Sequence, residues 1–260
     1  MTQFSRVFCF ALALIFALNA GPSLAHKRLA LVIGNAGYTN VPALDNPIND
    51  AHLMRDTLKD AGFEVTMITD ADRAEIMQAV ESFGKEVRAA KSETFVFFFY
   101  AGHGVRSNDF NYLIPVGVNI QAEEDIAREA VSAEWVLDRI HAPRSTSVMI
   151  LDACRDNPFQ TDQPGVIADL GDGLARMTAR RNNLIAYATG PGDVALDGSS
   201  NNSPYTEALV RAMQTPRLPV EDIFERARLD VVEKTQGLQV PWATSSVDIT
   251  IGIKNHAVVR

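Results

Sequence analysis

Apolar residues recur along the chain with two periods, which predict buried strands and the helices between them. Short, almost wholly apolar runs predict strands covered on both faces, as in a parallel sheet. Apolar residues at helical spacing predict the helices, with Asp72 and Ser203 as caps and with Pro204 and Pro219 at helix starts. The predicted strands lie at 29–33, 63–68, 94–100, within 147–156, and at 183–188.

The remaining segments have weaker patterns. Strand, helix and strand in succession predict right-handed parallel crossovers. Residues 110–118 predict a short hairpin or irregular strand, and 133–140 predict a helix. The polar stretch 157–182 has no periodicity, which predicts a long functional loop or linker. Near the end of the chain, alternation at 247–251 predicts an edge strand.

Length and charge restrict the classes of protein. A chain of 260 residues has room for one large α/β domain or two modest ones. The net charge of −8 comes without any stripe of clustered Lys and Arg. Since phosphate contacts need such clusters, nucleic acid is not an expected partner.

The first 25 residues predict a secretory signal peptide. Arg6 supplies a positive start, 7–20 is almost wholly apolar, and small residues near Ala25 supply a cleavage point. The alternative, an uncleaved anchor, fits less well because a spanning helix needs about 20 apolar residues. We therefore expect export to the periplasm or the medium, with no stable membrane anchor. Removal of 1–25 takes away Cys9 and leaves Cys154, which is then either buried and inert or kept for its reactivity.

Two predicted core strands are followed by a histidine and a cysteine, a pair that could act together in catalysis. The run 94–100 stops at Gly102-His103-Gly104, and the next core strand along the chain delivers Cys154. An imidazole beside a thiol can take its proton or stabilise the thiolate, as a nucleophile and general base require. The alternatives are a structural histidine and a glycine that only serves a turn. With no Cβ, Gly104 also leaves its N–H, together with that of Cys154, room to face a developing oxyanion.

With these residues, the chain resembles the caspase-like cysteine peptidases, and among them the bacterial metacaspase-like or orthocaspase-like members. The resemblance covers residues 28–252 and rests on Tyr-Ala-Gly-His-Gly at 100–104 and Asp-Ala-Cys-Arg at 152–155. The cysteine follows the histidine by 51 residues, close to the caspase spacing of about 50. The fold implied is a three-layer α/β/α sandwich with a mostly parallel central sheet of about six strands.

The resemblance also implies roles for individual residues. Cys154 would attack the scissile carbonyl, His103 would transfer protons, and the N–H groups of Gly104 and Cys154 would form the oxyanion hole. Asp152 replaces the Gln of caspases, and in metacaspases an Asp there helps line the pocket for the side chain before the scissile bond. Asp50 matches a second residue with that task. Two carboxylates favour Arg or Lys in this pocket. The alternatives are a helix-dipole role for Asp50 and a loop-orienting role for Asp152.

Caspase-like chains divide into two portions, which here implies four regions. These are a signal peptide at 1–25, a large-subunit portion at 26–156, an intersubunit-type loop at 157–182, and a small-subunit portion of the same domain at 183–260. Self-cleavage in the loop is a hypothesis, because the loop carries Arg176, Arg180 and Arg181; a loop that is never cut is the alternative. Its Asp169 and Asp172 are too few to predict a calcium site, although some metacaspases require calcium.

The leading hypothesis is therefore an exported cysteine endopeptidase that acts on proteins or peptides without a cofactor or metal. The alternative is a catalytically silent caspase-like interaction module. A thioredoxin-like redox protein is disfavoured because no second cysteine follows Cys154 at short spacing. An α/β-hydrolase is disfavoured because no Gly-x-Ser-x-Gly elbow occurs.

Overall fold

The computed structural model consists of a mostly parallel β-sheet with helices on both faces. The structure describes residues 27–154, 157–159, 170, 173–193, 195, 196, 198, 200–247 and 253, with only the backbone of Cys154. The strands are β1 Lys27–Gly34, β2 Glu64–Thr69, β3 Thr94–Ser107, β4 Phe110–Leu113, β5 Val131–Ser132, β6 Ser145–Cys154, β7 Asn183–Tyr187 and β8 Trp242–Ser245. The helices are α1 Pro47–Asp60, α2 Arg73–Ala89, α3 Glu123–Glu129, α4 Ala133–Ile140, α5 Pro204–Met213 and α6 Val220–Lys234.

The strand order places β3 and β6 side by side in the middle of the sheet. The main order is β2-β1-β3-β6-β7-β8, with β4 and β5 attached to the far end of β3. The strands from β2 to β7 in this order run parallel, and β8 is antiparallel at the edge. The predicted α/β fold with a mostly parallel sheet is confirmed.

Two groups of helices cover the sheet. The chain steps from β1 to β2 in one direction and from β2 to β3 in the other, so right-handed crossovers put α1 and α2 on opposite faces. Helix α5 packs against both α1 and α6, whereas α4 packs against α2. The strands between them are buried on both sides, which explains why 94–100 is a continuous apolar run.

The predicted caps form at two helices. Asp72 accepts from the Glu75 N–H while the Glu75 side chain accepts from the Asp72 N–H, a complete capping box at α2. Ser203 accepts from the Thr206 N–H at α5, where Pro204 occupies the first turn. Helix α6 begins directly after Pro219, as predicted.

Two elements differ from the sequence prediction, and a third falls mostly outside the described residues. Strand β3 does not end at Ala101 but continues to Ser107, because a bulge absorbs the glycines around the histidine. Helix α3 was not predicted, since Ile126 is its only buried residue. The edge strand is Trp242–Ser245, whose residues lie in register with β7; Val247 is outside it, and 248–251 lie outside the described residues.

Part of the predicted loop 157–182 is docked on the sheet. Leu174 and Met177 are buried, and Asn111 of β4 both donates to the Ala175 carbonyl and accepts from the Ala175 N–H, at 2.8 and 2.7 Å. We call 173–180 the docked segment. Among the described residues, no helix is both long and apolar enough to cross a bilayer.

Candidate active site

The two chemical motifs meet where β6 ends beside a bulge in β3. Ala101 lies opposite Asp152, and Gly104 lies opposite Cys154. Two residues of β3, Gly102 and His103, therefore face one residue of β6, which defines a bulge. The structure thus brings His103, Gly104 and the Cys154 backbone together, whereas the Cys154 side chain lies outside the described residues.

The His103 side chain is buried and its orientation is set by a backbone carbonyl. The residue is 4% exposed, and its Nε2 lies 2.7 Å from the Pro42 carbonyl oxygen. A carbonyl only accepts hydrogen bonds, so Nε2 carries the proton in the neutral ring. Nδ1 is then the ring nitrogen with a lone pair for a proton.

Gly104 is confined by the neighbouring strand. A Cβ at this position would lie 2.8 Å from the Ala153 carbonyl oxygen and 3.0 Å from the Ala153 Cβ. Only glycine lets the two backbones approach this closely. The N–H groups of Gly104 and Cys154 consequently belong to adjacent backbone positions at the strand ends.

The predicted pocket carboxylates also lie together, although they come from distant parts of the chain. Asp50 and Asp152 are 1% and 2% exposed. Ser203 bridges them, because its N–H donates to Asp50 Oδ1 at 3.0 Å and its hydroxyl donates to Asp152 Oδ2 at 2.5 Å. The Asn202 side chain also donates to Asp50 and the Thr206 hydroxyl to Asp152, at 2.8 and 2.9 Å.

Asp50 also fits the alternative interpretation from the sequence. It lies in the first turn of α1, where a carboxylate interacts favourably with the helix dipole. Its Oδ1 also accepts from the Asn202 side chain and from the Ser203 N–H, which lie just before α5. Asp50 therefore lies both at the start of α1 and beside Asp152.

Sequence reasoning identified the acids and the histidine but missed the groups that hold them. Tyr38, Tyr100 and Pro42 contact His103 or its peptide groups. Ser203 was predicted only as a helix cap, and Thr206 was not singled out. The available signal was modest: Tyr38 and Pro42 lie in a loop after β1, at the edge where the functional residues were expected.

The arginines of the predicted cleavage loop make contacts of their own. The Arg176 guanidinium lies 4.2 Å from the centre of the Trp242 ring, and Arg180 pairs with Asp138. Arg181 is exposed. Asp169 and Asp172, the calcium candidates, lie outside the described residues. Within the described ranges, no three His, Cys, Asp or Glu side chains cluster as a metal ion would need.

Comparison with known proteins gives one family. The family model described as "Caspase domain" matches residues 27–249. "Mucosa-associated lymphoid tissue lymphoma translocation protein 1 homolog" of Mus musculus is 26% identical over 181 residues, 69% of this chain and 20% of the relative. The Homo sapiens protein of that name is 26% identical over 176 residues, 67% of this chain and 20% of the relative.

A third relative is "Paracaspase" of Dictyostelium discoideum, 26% identical over 135 residues, 51% of this chain and 32% of the relative. The matches thus span between about a fifth and a third of the length of these curated relatives. The likeness concerns one domain of longer proteins.

Proposed function

Because the chain belongs to the caspase-domain family, we propose that it is a cysteine endopeptidase that uses Cys154 and His103 and cleaves after Arg or Lys. The family supports a peptidase-type function acting on protein substrates; the dyad and the basic preference are the proposal. The observation that carries it is the bulge, which seats His103 directly before the Gly104 position that pairs with Cys154.

The proposed chemistry follows from the ring tautomer. With Nε2–H donating to the Pro42 carbonyl, Nδ1 accepts the proton of the Cys154 thiol. The sulfur attacks the scissile carbonyl carbon, a C–S bond forms, and the carbonyl π electrons move to oxygen. When the oxyanion collapses, the C–N bond breaks and the amine leaves with the proton from Nδ1. A water molecule then gives Nδ1 a proton and hydrolyses the thioester, and the thiol regains that proton.

The oxyanion would be stabilised by backbone donors. The N–H groups of Gly104 and Cys154 are on paired residues of neighbouring strands. Donors held rigidly by the sheet need no reorganisation when charge develops on the oxygen. Removal of a single oxyanion donor typically costs a factor of about 10²–10³ in kcat.

The basic preference is supported by the paired carboxylates. Asp50 and Asp152 share Ser203 as a donor, so their charges lie close together in a buried place. A buried pair of like charges gains most from a substrate cation, and a guanidinium can donate to both carboxylates at once. Arg before the scissile bond is therefore preferred to Lys, and an acidic residue is rejected.

A panel of matched fluorogenic peptides tests this function. Peptides that differ only in Arg, Lys or Asp before the reporter are incubated with the protein and with Cys154→Ala. We expect cleavage after Arg, slower cleavage after Lys, and none with the variant. Efficient cleavage after Asp would overturn the pocket assignment, and equal activity of Cys154→Ala would overturn the nucleophile.

Export and self-cleavage are further parts of the proposal. The leader 1–25 lies outside the described residues, and its removal is proposed from its composition. Self-cleavage at Arg176, Arg180 or Arg181 would require part of the docked segment to leave the sheet. Both the N–H and the carbonyl of Ala175 are hydrogen-bonded to the Asn111 side chain. Intact-mass analysis should show two fragments for the native chain and one species for Cys154→Ala.

A further inference from the structure

The bulge in β3 removes the histidine backbone from the ordinary ladder of the sheet. Ala101 pairs with Asp152 and Gly104 with Cys154, so the peptide groups of residues 102 and 103 lie opposite a single residue of β6. Buried backbone N–H and C=O groups nevertheless need partners. Groups from outside β6 must therefore satisfy the backbone of His103.

Two tyrosine hydroxyls take over this task. The His103 N–H donates to the Tyr38 hydroxyl at 2.9 Å, and the Tyr100 hydroxyl donates to the His103 carbonyl at 2.9 Å. The two hydroxyls lie 3.3 Å apart. The His103 carbonyl also accepts from the Ile114 N–H at 3.0 Å, so it has a second donor. Of the two tyrosines, Tyr38 is consequently the one that the His103 N–H depends on.

Residue 102 is fitted to the same pair of hydroxyls. Gly102 has φ +155°, and a Cβ there would lie 2.6 Å from the Tyr38 hydroxyl oxygen and 2.8 Å from that of Tyr100. Such distances are too short for any real side chain. The glycine before the histidine therefore makes room for the tyrosine hydroxyls and does not terminate the strand.

Tyr38 also contacts the imidazole itself. The two rings are 4.6 Å apart at a tilt of 54°. Four residues later, the same loop supplies the Pro42 carbonyl to Nε2. One loop therefore holds both the backbone and the ring of His103.

The loop is itself anchored. The Asp70 carboxylate accepts from the N–H groups of Ala36 and Gly37 at 2.8 and 2.7 Å. The Asn35 side chain, fully buried, donates to the Ala71 carbonyl at 3.1 Å and accepts from the Ala71 N–H at 3.0 Å. The Tyr38 hydroxyl is thus presented from a rigid base.

We propose that Tyr38 is a positioning residue for His103: its hydroxyl holds the bulge in the one backbone geometry that aims the imidazole at the thiol. This inference rests on the proposed peptidase function. Tyr38→Phe keeps the ring against the imidazole but leaves the buried His103 N–H without its acceptor. The backbone then shifts to find another partner, and misplacement of a catalytic group by about 1 Å can cost about 10²-fold in rate.

Two measurements on the full chain test the proposal. With the Arg peptide, Tyr38→Phe should lower kcat by about 10- to 100-fold and leave KM nearly unchanged, since the acidic pocket is untouched. Iodoacetamide labelling of Cys154, followed on the tryptic peptide 145–155 so that Cys9 does not interfere, should slow down. The pH at which labelling reaches half its maximal rate should move upward, towards that of His103→Ala. A thermal melt of Tyr38→Phe is the control for folding. If its melting temperature equals that of the wild type, the upward shift in the labelling pH cannot be due to unfolding.

Tyr112→Phe is the matched control. Tyr112 pairs with Val105 in the adjacent hairpin and not with the His103 backbone, so loss of its hydroxyl should change neither kcat nor the labelling profile. Tyr100→Phe should reduce kcat less than Tyr38→Phe, because the Ile114 N–H still serves the His103 carbonyl. If Tyr38→Phe fails to fold, Gly102→Ala tests the same contact, because its Cβ would displace the Tyr38 hydroxyl and should shift the labelling pH upward; an unshifted profile would overturn the positioning role.

The results distinguish a failure of the proposed dyad from a failure of the positioning role of Tyr38. If wild-type labelling does not depend on His103, the proposed dyad is wrong. If labelling depends on His103 but Tyr38→Phe matches the wild type in kcat and in the labelling profile, the dyad stands and the positioning role of Tyr38 is wrong.

Discussion

The histidine bulge and the buried carboxylate pair lie at the same edge of the sheet but differ in the direction of their hydrogen bonds. The backbone N–H and the Nε2–H of His103 donate, to the Tyr38 hydroxyl and the Pro42 carbonyl. Asp50 and Asp152 are held by donors: hydroxyls, a side-chain amide and the backbone N–H of the α5 cap.

This difference matches what each group must do. In the proposed mechanism the imidazole gains and loses a proton at Nδ1 in every turnover, and the Pro42 carbonyl, which only accepts, keeps the other ring nitrogen protonated. A carboxylate that recognises a cation must stay ionised, and partners that only donate favour its charged form. Three mutations, taken from the largest expected effect to the smallest, test this contrast, and a fourth prediction concerns a histidine away from the site.

Loss of the imidazole should nearly abolish activity. His103→Gln keeps a polar side chain but supplies no base, so kcat/KM for the Arg peptide should fall by about 10³-fold. His52→Gln, at an exposed position of α1, is the control and should leave kcat/KM unchanged. Equal kcat/KM values for the two variants would mean that His103 has no catalytic role.

Neutralising the pocket should reduce activity less and change selectivity more. Asp152→Asn keeps an acceptor for Ser203 and Thr206 but removes a charge, so kcat/KM should fall by about 10- to 100-fold for Arg and Lys peptides. A peptide with a neutral residue at that place should lose little. Asp60→Asn, exposed at the end of α1, serves as the control. A uniform loss across all peptides would contradict a pocket role for Asp152.

The helix caps of α5 and α2 should differ in what they support. Ser203→Ala removes a cap and a donor to a buried carboxylate, so the free energy of unfolding should fall by about 2–3 kcal/mol, and the preference for Arg should weaken. Asp72→Ala removes only a cap, about 1 kcal/mol, and should keep the preference. Urea titrations and the peptide panel measure the two effects. If Ser203→Ala kept the wild-type preference for Arg, Ser203 would act only as a helix cap and not in substrate selection.

A histidine away from the site gives the smallest effect. Burial, and next the Arg180 guanidinium, lower the pKa of His141, with Asp138 opposing them. Because the unfolded state then binds the proton more readily, stability should fall as the pH drops below about 6.5 and level off below the folded pKa. His141→Gln should flatten this slope in thermal melts. An unchanged slope would show that Arg180 and burial leave His141 unperturbed.

Much of the architecture was predictable because its signals are local. Apolar runs such as 94–100 predict buried strands, and Asp72 with Glu75 marks a helix start within one turn. The neighbouring positions of His103 and Cys154 follow from the strand ends that precede them. Asp50 and Asp152 were identified through the family resemblance, and the structure brings them together at Ser203.

The remainder depends on contacts that no local pattern encodes. Glycines on both sides of His103 predict a strand end, yet here they accommodate a bulge under two tyrosine hydroxyls. Trp242–Ser245 is a strand because β7 lies beside it, although the alternation at 247–251 is stronger. The partners of 173–180 are equally remote, since Asn111 lies 64 residues before Ala175.

The bridge through Ser203 also bears on the order in which the protein becomes functional. Tyr38 and His103 are 65 residues apart in the chain, whereas Asp50 and Ser203 are 153 apart. Closing a longer loop costs more entropy, and the chain emerges from the ribosome with its N-terminal part first. We therefore expect the contacts around His103 to form before the bridge between the two carboxylates. In refolding, reactivity of Cys154 towards a small alkylating reagent should appear earlier than discrimination between Arg and neutral peptides.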